Sequence, residues 1–172
     1  MKRHIQVTSL LGVLALAGCT DSAGRNTELR TAVDSASISL KGSVGIAERS
    51  IDGARAVRAT LLTKSKVLSI HALSTTGVKD VRVDPSTGVI LASQSTSEAT
   101  GDVCTGSLAA IIDAAEQEVG GDAVFAGPDD DGGCNTEVKV LDARDTLWEV
   151  KVDAAGEVLE QEVADDAAET NE

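Results

Sequence analysis

The stretch VKVDAAGEVL, Val150–Leu159, reads as a strand, a turn and the start of a return strand. Val150 and Val152 share a face by the period of two, Ala154-Ala155-Gly156 punctuates, and Val158-Leu159 resumes the apolar text. Nearly the same text stands earlier as VRVDPSTGVIL, Val81–Leu91. Val81, Val83 and Asp84 precede Val150, Val152 and Asp153 by 69 residues, whereas Gly88 and Leu91 precede Gly156 and Leu159 by 68. One extra residue in the turn Pro85-Ser86-Thr87 accounts for the change. A hairpin written twice is the sign of an internal repeat.

Working outward, the offset of 68 also pairs Leu40 with Leu108, Ala47-Glu48 with Ala115-Glu116, Gly53 with Gly121, Val57 with Phe125 and Leu73 with Leu141. Each unit opens on a helical pattern. Leu40, Val44, Ala47 and Ile51 lie on one face of a 3.6-residue period, as do Leu108, Ile111, Ile112, Ala115 and Val119. Ser39 and Ser107 stand at the N-cap positions, and glycines follow (Gly53, Gly120-Gly121) as stop signals. Short alternating runs come next: Val57-Ala59-Leu61, Leu68-Ile70-Ala72, Val81-Val83, Val138-Val140 and Trp148-Val150-Val152. The expected fold class is therefore α+β: two repeats, each one helix packed on a small antiparallel sheet.

The strand-turn-strand text KDVRVDPSTGVIL and LWEVKVDAAGEVL, preceded by a helix ending in Gly and two strands, resembles the PepSY domain. The resemblance covers about residues 38–92 and 106–163. It departs from the family's pattern in its aromatic residues, since Phe125 and Trp148 are the only two. The resemblance implies a non-catalytic domain. PepSY-like domains occur in propeptides of thermolysin-type metallopeptidases, where they are taken to restrain the peptidase, and in bacterial envelope proteins.

The N-terminus carries an address. Lys2, Arg3 and His4 precede an apolar run, Leu10 to Ala17, too short to span a bilayer. It ends Leu-Ala-Gly-Cys at Cys19, which resembles the lipobox of bacterial lipoproteins. That resemblance implies cleavage before Cys19 and lipidation of its thiol and amine; two or more acyl chains give stable membrane attachment. The expected organisation is a lipoprotein signal peptide over 1–18, a polar tether over 19–37, the two units over 38–92 and 106–163, a Ser/Thr-rich linker over 93–105 and an acidic tail over 164–172. The protein then faces the periplasm or the cell exterior.

With Cys19 assigned to lipid, Cys104 and Cys134 remain, in a compartment where disulfides persist. A structural disulfide between them is expected. The alternatives are a redox pair or half a zinc site, but the spacing is not CxxC and no histidine lies nearby.

Charge is unevenly placed. Without the signal peptide 13 basic residues face 28 acids, a net charge of −15. Residues 35–95 carry eight Lys/Arg and four acids, and residues 96–172 carry three Lys/Arg and 21 acids. Such a chain lacks the basic footprint that nucleic acid requires. Asp129, Asp130 and Asp131 offer oxygens but miss the spacing of a calcium loop, so no metal is expected. His71, the one histidine after the signal peptide, alternates away from Leu68, Ile70 and Ala72 toward solvent. No nucleophile elbow, glycine-rich phosphate loop or paired acid–base group is present. The expectation is a lipid-anchored envelope protein without catalysis or cofactor, binding a protein or peptide partner; restraint of a peptidase is what the PepSY resemblance implies. The other reading is an acidic cation-binding or envelope-spacer lipoprotein.

Overall fold

The computed structural model describes residues 21–97, 106–129 and 133–164. Its helices there are α1 (Asp21–Ser35), α2 (Leu40–Ser50) and α3 (Leu108–Val119). Its strands are β1 (Arg55–Leu62), β2 (Val67–Ser74), β3 (Gly77–Val83), β4 (Ile90–Ser95), β5 (Gly121–Pro128), β6 (Asn135–Asp142), β7 (Leu147–Asp153) and β8 (Val158–Val163).

The repeated text forms the same hairpin in both places. Asp84 Oδ1 accepts from the N–H groups of Ser86 and Thr87, and Asp153 Oδ1 accepts from those of Ala155 and Glu157. Gly88 and Gly156 close the two turns at φ +71° and +88°, in the left-handed region that glycine enters at no steric cost. Both return strands then carry a bulge, which places Leu91 and Leu159 out of register with β3 and β7.

The repeat is also visible where helix meets strand. Glu48 accepts the Ala56 N–H at 2.9 Å, and Glu116 accepts the Ala123 N–H at 3.2 Å. Each bond sits beside a bulge, between Ala56 and Arg58 in β1 and between Ala123 and Phe125 in β5. Gly53 and Gly120 both take left-handed φ, +64° and +72°. The match over this stretch is therefore Gly53 with Gly120 and Val57 with Val124, one residue from the expected pairing with Gly121 and Phe125.

The architecture corrects the expectation of two separate helix-on-sheet units. All eight strands form one antiparallel sheet in the order β4-β3-β2-β1-β5-β6-β7-β8. The first strands of the two repeats pair with each other, Ala59 opposite Ala126 and Thr60 opposite Phe125. One core runs beneath α2 and α3 across both halves, from Val44, Ile70 and Val81 to Ile112, Val138 and Val150. The physical reason is size. A unit of under 60 residues buries too little surface to stand comfortably alone. Its first strand, apolar on both faces in β5, needs a neighbour on each side.

Two boundaries shift as well. The expected tether is largely helix α1, whose Leu29 is 1 % exposed. The linker begins later than expected, because Ser93 to Ser95 complete β4. Helix α1 crosses the ends of the hairpins. Asn26 donates to the Asp145 carbonyl and Arg30 Nε to Asp145 Oδ1 at the β6–β7 turn, while the N–H groups of Ser37 and Ile38 donate to the Pro85 carbonyl at the β3–β4 turn.

A single core predicts a single transition. Ile70→Ala in the first repeat should cost about 2–5 kcal/mol. In urea titrations it should move the unfolding midpoint seen by fluorescence of Trp148, in the second repeat, as far as that seen by far-UV circular dichroism. A Trp148 midpoint unmoved by the substitution would contradict the shared core.

Candidate functional site

Among the described residues the sheet ends on β4 at one edge and on β8 at the other. The large hydrophobic residues exposed among the described residues are Val89, Ile90, Leu91, Leu159 and Val163, each between 38 % and 58 % exposed. All five lie on the outer strands β4 and β8 or in the turn that feeds β4. The two edges differ in charge. β8 carries Glu160 and Glu162, while β4, ILASQS, carries no charge. Proteins usually guard an edge with charge or proline, because its unpaired N–H and C=O groups are a template for another strand. By that measure β4 is unguarded. Its first apolar residues adjoin Gly88, around which Ile38 and Ile46 close to within 3.5 Å of where a Cβ would stand.

The face turned away from the helices is polar and charged. Across its middle, Arg82, Ser69, Thr60, Phe125, Lys139 and Glu149 stand in successive strands. Phe125 is only 2 % exposed although, among the described residues, no helix lies over it. Arg58 and Lys139 cover the ring, at 5.4 Å and 5.7 Å from its centroid. Such contacts contribute about 0.5–2 kcal/mol each. Gly127 makes the room, since a Cβ there would stand 2.8 Å from Phe125 Cζ. Lys139 pairs with Glu137 at 3.2 Å, Lys151 with Asp129 at 2.9 Å, and Arg82 with Asp80 at 3.0 Å.

The helix face and the hairpin ends are also tied by charge. Lys41 of α2 pairs with Asp113 and Glu116 of α3, which joins the two repeats on that side. Burial pushes the Glu116 carboxyl up, against the Ala123 N–H and Lys41, which both pull it down. Asp142 is held below the ordinary carboxylate range, first by the Trp148 indole N–H, which donates to its Oδ2 at 3.0 Å, and then by the N–H groups of Thr146 and Arg144.

The residues singled out in the sequence do not converge on one centre. Cys19 and Cys104 lie outside the described residues, as do Asp130 and Asp131. Cys134 is exposed immediately before β6. His71 lies on the polar face, between Arg58 of β1 and Asp80 of β3. Trp148 lies opposite Val140 on the core side, as its alternation predicts. Among the described residues no group of three His, Cys, Asp or Glu is placed to hold a metal ion, and no helix is long and apolar enough to cross a membrane. The bulges that expose Leu91 and Leu159 were not legible, because a bulge leaves the local alternation intact until the partner register is known. Phe125, aligned with Val57 in sequence, turns to the polar face for the same reason.

No family model matches the chain, and no curated protein matches it. One solved structure is similar: a protein of Clostridium difficile 630 provisionally described as a lipoprotein, 15 % identical, with a TM-score of 0.45 over 75 % of this chain and 95 % of that one.

Asp142 links the β6–β7 turn to pH. Its pKa is lower in the folded than in the unfolded chain, so its contribution is present above the ordinary carboxylate range and is lost as pH falls through its lowered value. Trp148 fluorescence should therefore titrate on the acid side of that range, and Asp142→Asn should remove the titration. The same acid limb in Asp142→Asn would show that another group is responsible.

Proposed function

We propose that the chain is a lipid-anchored envelope protein without catalysis, which binds a protein partner through the free strand edges of its sheet. The observation that carries this reading is the placement of the exposed apolar residues: all five lie along the two edges, where backbone groups await a strand. The anchor rests on the Leu16-to-Cys19 motif. Restraint of a peptidase is what the PepSY resemblance implies, and strand addition at an edge is compatible with it.

Helix α1 sharpens the anchoring geometry. It is described from Asp21, two positions after Cys19. The lipid and the folded domain are then separated by roughly 7 Å of chain. The anchor thus leaves the domain at the hairpin end where α1 bonds to Asp145. Lipidation is tested by metabolic labelling with a palmitate analogue and membrane fractionation. The wild type should label and pellet with membranes, and Cys19→Ala should do neither. Labelled, membrane-bound Cys19→Ala would remove the anchor.

In the envelope Cys104 and Cys134 are proposed to form a disulfide. Supporting this, Gly106 packs so closely on Ala154 that a Cβ there would stand 2.5 Å from the Ala154 carbonyl. Asp153, next to Ala154, pairs with Asn135, the residue after Cys134. One residue separates Cys104 from Gly106, at most about 7 Å of chain between their Cα atoms. Closing that loop stabilises by roughly 3–4 kcal/mol. Thiol counting on the unreduced, denatured mature chain should find no free cysteine, and reduction should lower the unfolding midpoint. Two reactive thiols would refute the pairing.

A further inference from the structure

We infer that the partner of each edge is the opposite edge of a second copy: β4 of one chain pairs antiparallel with β8 of the next, extending the sheet head to tail along the membrane. The inference rests on the anchored, edge-binding reading and names its partner.

Direction comes first. β4 runs away from the hairpin end that carries α1, and β8 runs toward it, as their alternation through the sheet requires. A neighbour displaced sideways, without being turned over, therefore presents its β8 antiparallel to β4. The molecule already contains such a joint, since β1 and β5 are the facing edges of its two repeats.

With the strands upright on the membrane, orientation weighs against the alternatives. Antiparallel pairing of β4 with β4, or β8 with β8, requires a twofold axis normal to the sheet, which turns one copy end for end. Its anchored end would then stand a strand length away, about 25 Å for eight residues. The single residue between Cys19 and Asp21 cannot span that distance. The head-to-tail joint keeps every anchored end on the same side.

Chemistry favours the same joint. Glu160 lies opposite Lys151 and Glu162 opposite Glu149, so both glutamates share the polar face. On β4 that face offers Ala92 and Gln94, with Arg82 standing behind the small Ala92. A β8 strand laid there sets its glutamates beside Arg82, whereas β8 against β8 sets glutamates against each other. One joint also covers the apolar residues of both edges: Val89, Ile90 and Leu91 from one copy, Leu159 and Val163 from the next. The basic first repeat then meets the acidic second repeat of its neighbour, an attraction that salt weakens.

The test uses the full-length, membrane-inserted protein with Ser93 replaced by the photo-cross-linker p-benzoylphenylalanine; Ser93 is exposed on β4, so folding is spared. Mixing ¹⁴N- and ¹⁵N-labelled copies before irradiation identifies intermolecular products by mass. Cross-links from position 93 to residues 158–163 of another copy are expected. Ala92→Glu should weaken the association about fivefold, and Ala92→Lys should retain it, since like charges across a strand pair oppose pairing. Cross-links from β4 to β4, or none at all in a protein that labels with palmitate and pellets with membranes, would overturn the pairing while leaving the anchor intact. A wild type that fails to label but still yields β4-to-β8 products would remove the anchor and leave the pairing.

Discussion

The structure depends on the pairing of β1 with β5. Ala59 faces Ala126 and Thr60 faces Phe125, and across this short seam two four-stranded halves become one sheet. Each half has a helix, a repeated hairpin and a glutamate bonded to a bulged strand, but neither half closes its own core. The seam lets α2 and α3 share one apolar layer and lets Lys41 reach Asp113 and Glu116 across it. On the core side of the seam both strands contribute small residues, Ala59 and Ala126, and both are fully buried.

The same seam decides what remains exposed. Using the first strand of each repeat internally leaves the last strand of each, β4 and β8, as the edges of the molecule. Both inherit the bulged leucine of the repeated hairpin, Leu91 and Leu159. The two copies of the repeat have diverged in charge, so one edge is acidic and the other neutral. An arrangement that is symmetric in backbone is thus polar in chemistry, and only a head-to-tail joint uses that polarity.

Much of this was legible in the sequence. The hairpins follow from Asp84, Asp153 and their glycines, the helices from apolar spacing and the Ser39 cap, which accepts from the Gly42 N–H at 3.1 Å. Trp148 lies on the face its alternation assigns. The single sheet was not legible, because strand pairing between repeats is set by tertiary fit and not by either repeat's own pattern. One hint was present: Ala123 to Gly127 is apolar without alternation, as a central strand buried on both faces should be. The polar sequence of helix α1 lacks a clear apolar stripe and so predicts a tether; Leu29, Ala32 and the Arg30 bonds to the β6–β7 turn hold it in place as a helix.

The most direct test of the shared fold is native-state hydrogen exchange of the mature chain, resolved by residue. If the seam unites the repeats, the buried amides of β2 and of β6 should exchange through one global opening, with the same free energy and the same dependence on denaturant. Protection of the β6 amides that persists while the β2 amides exchange through a separate, smaller opening would show two independent domains and contradict the account.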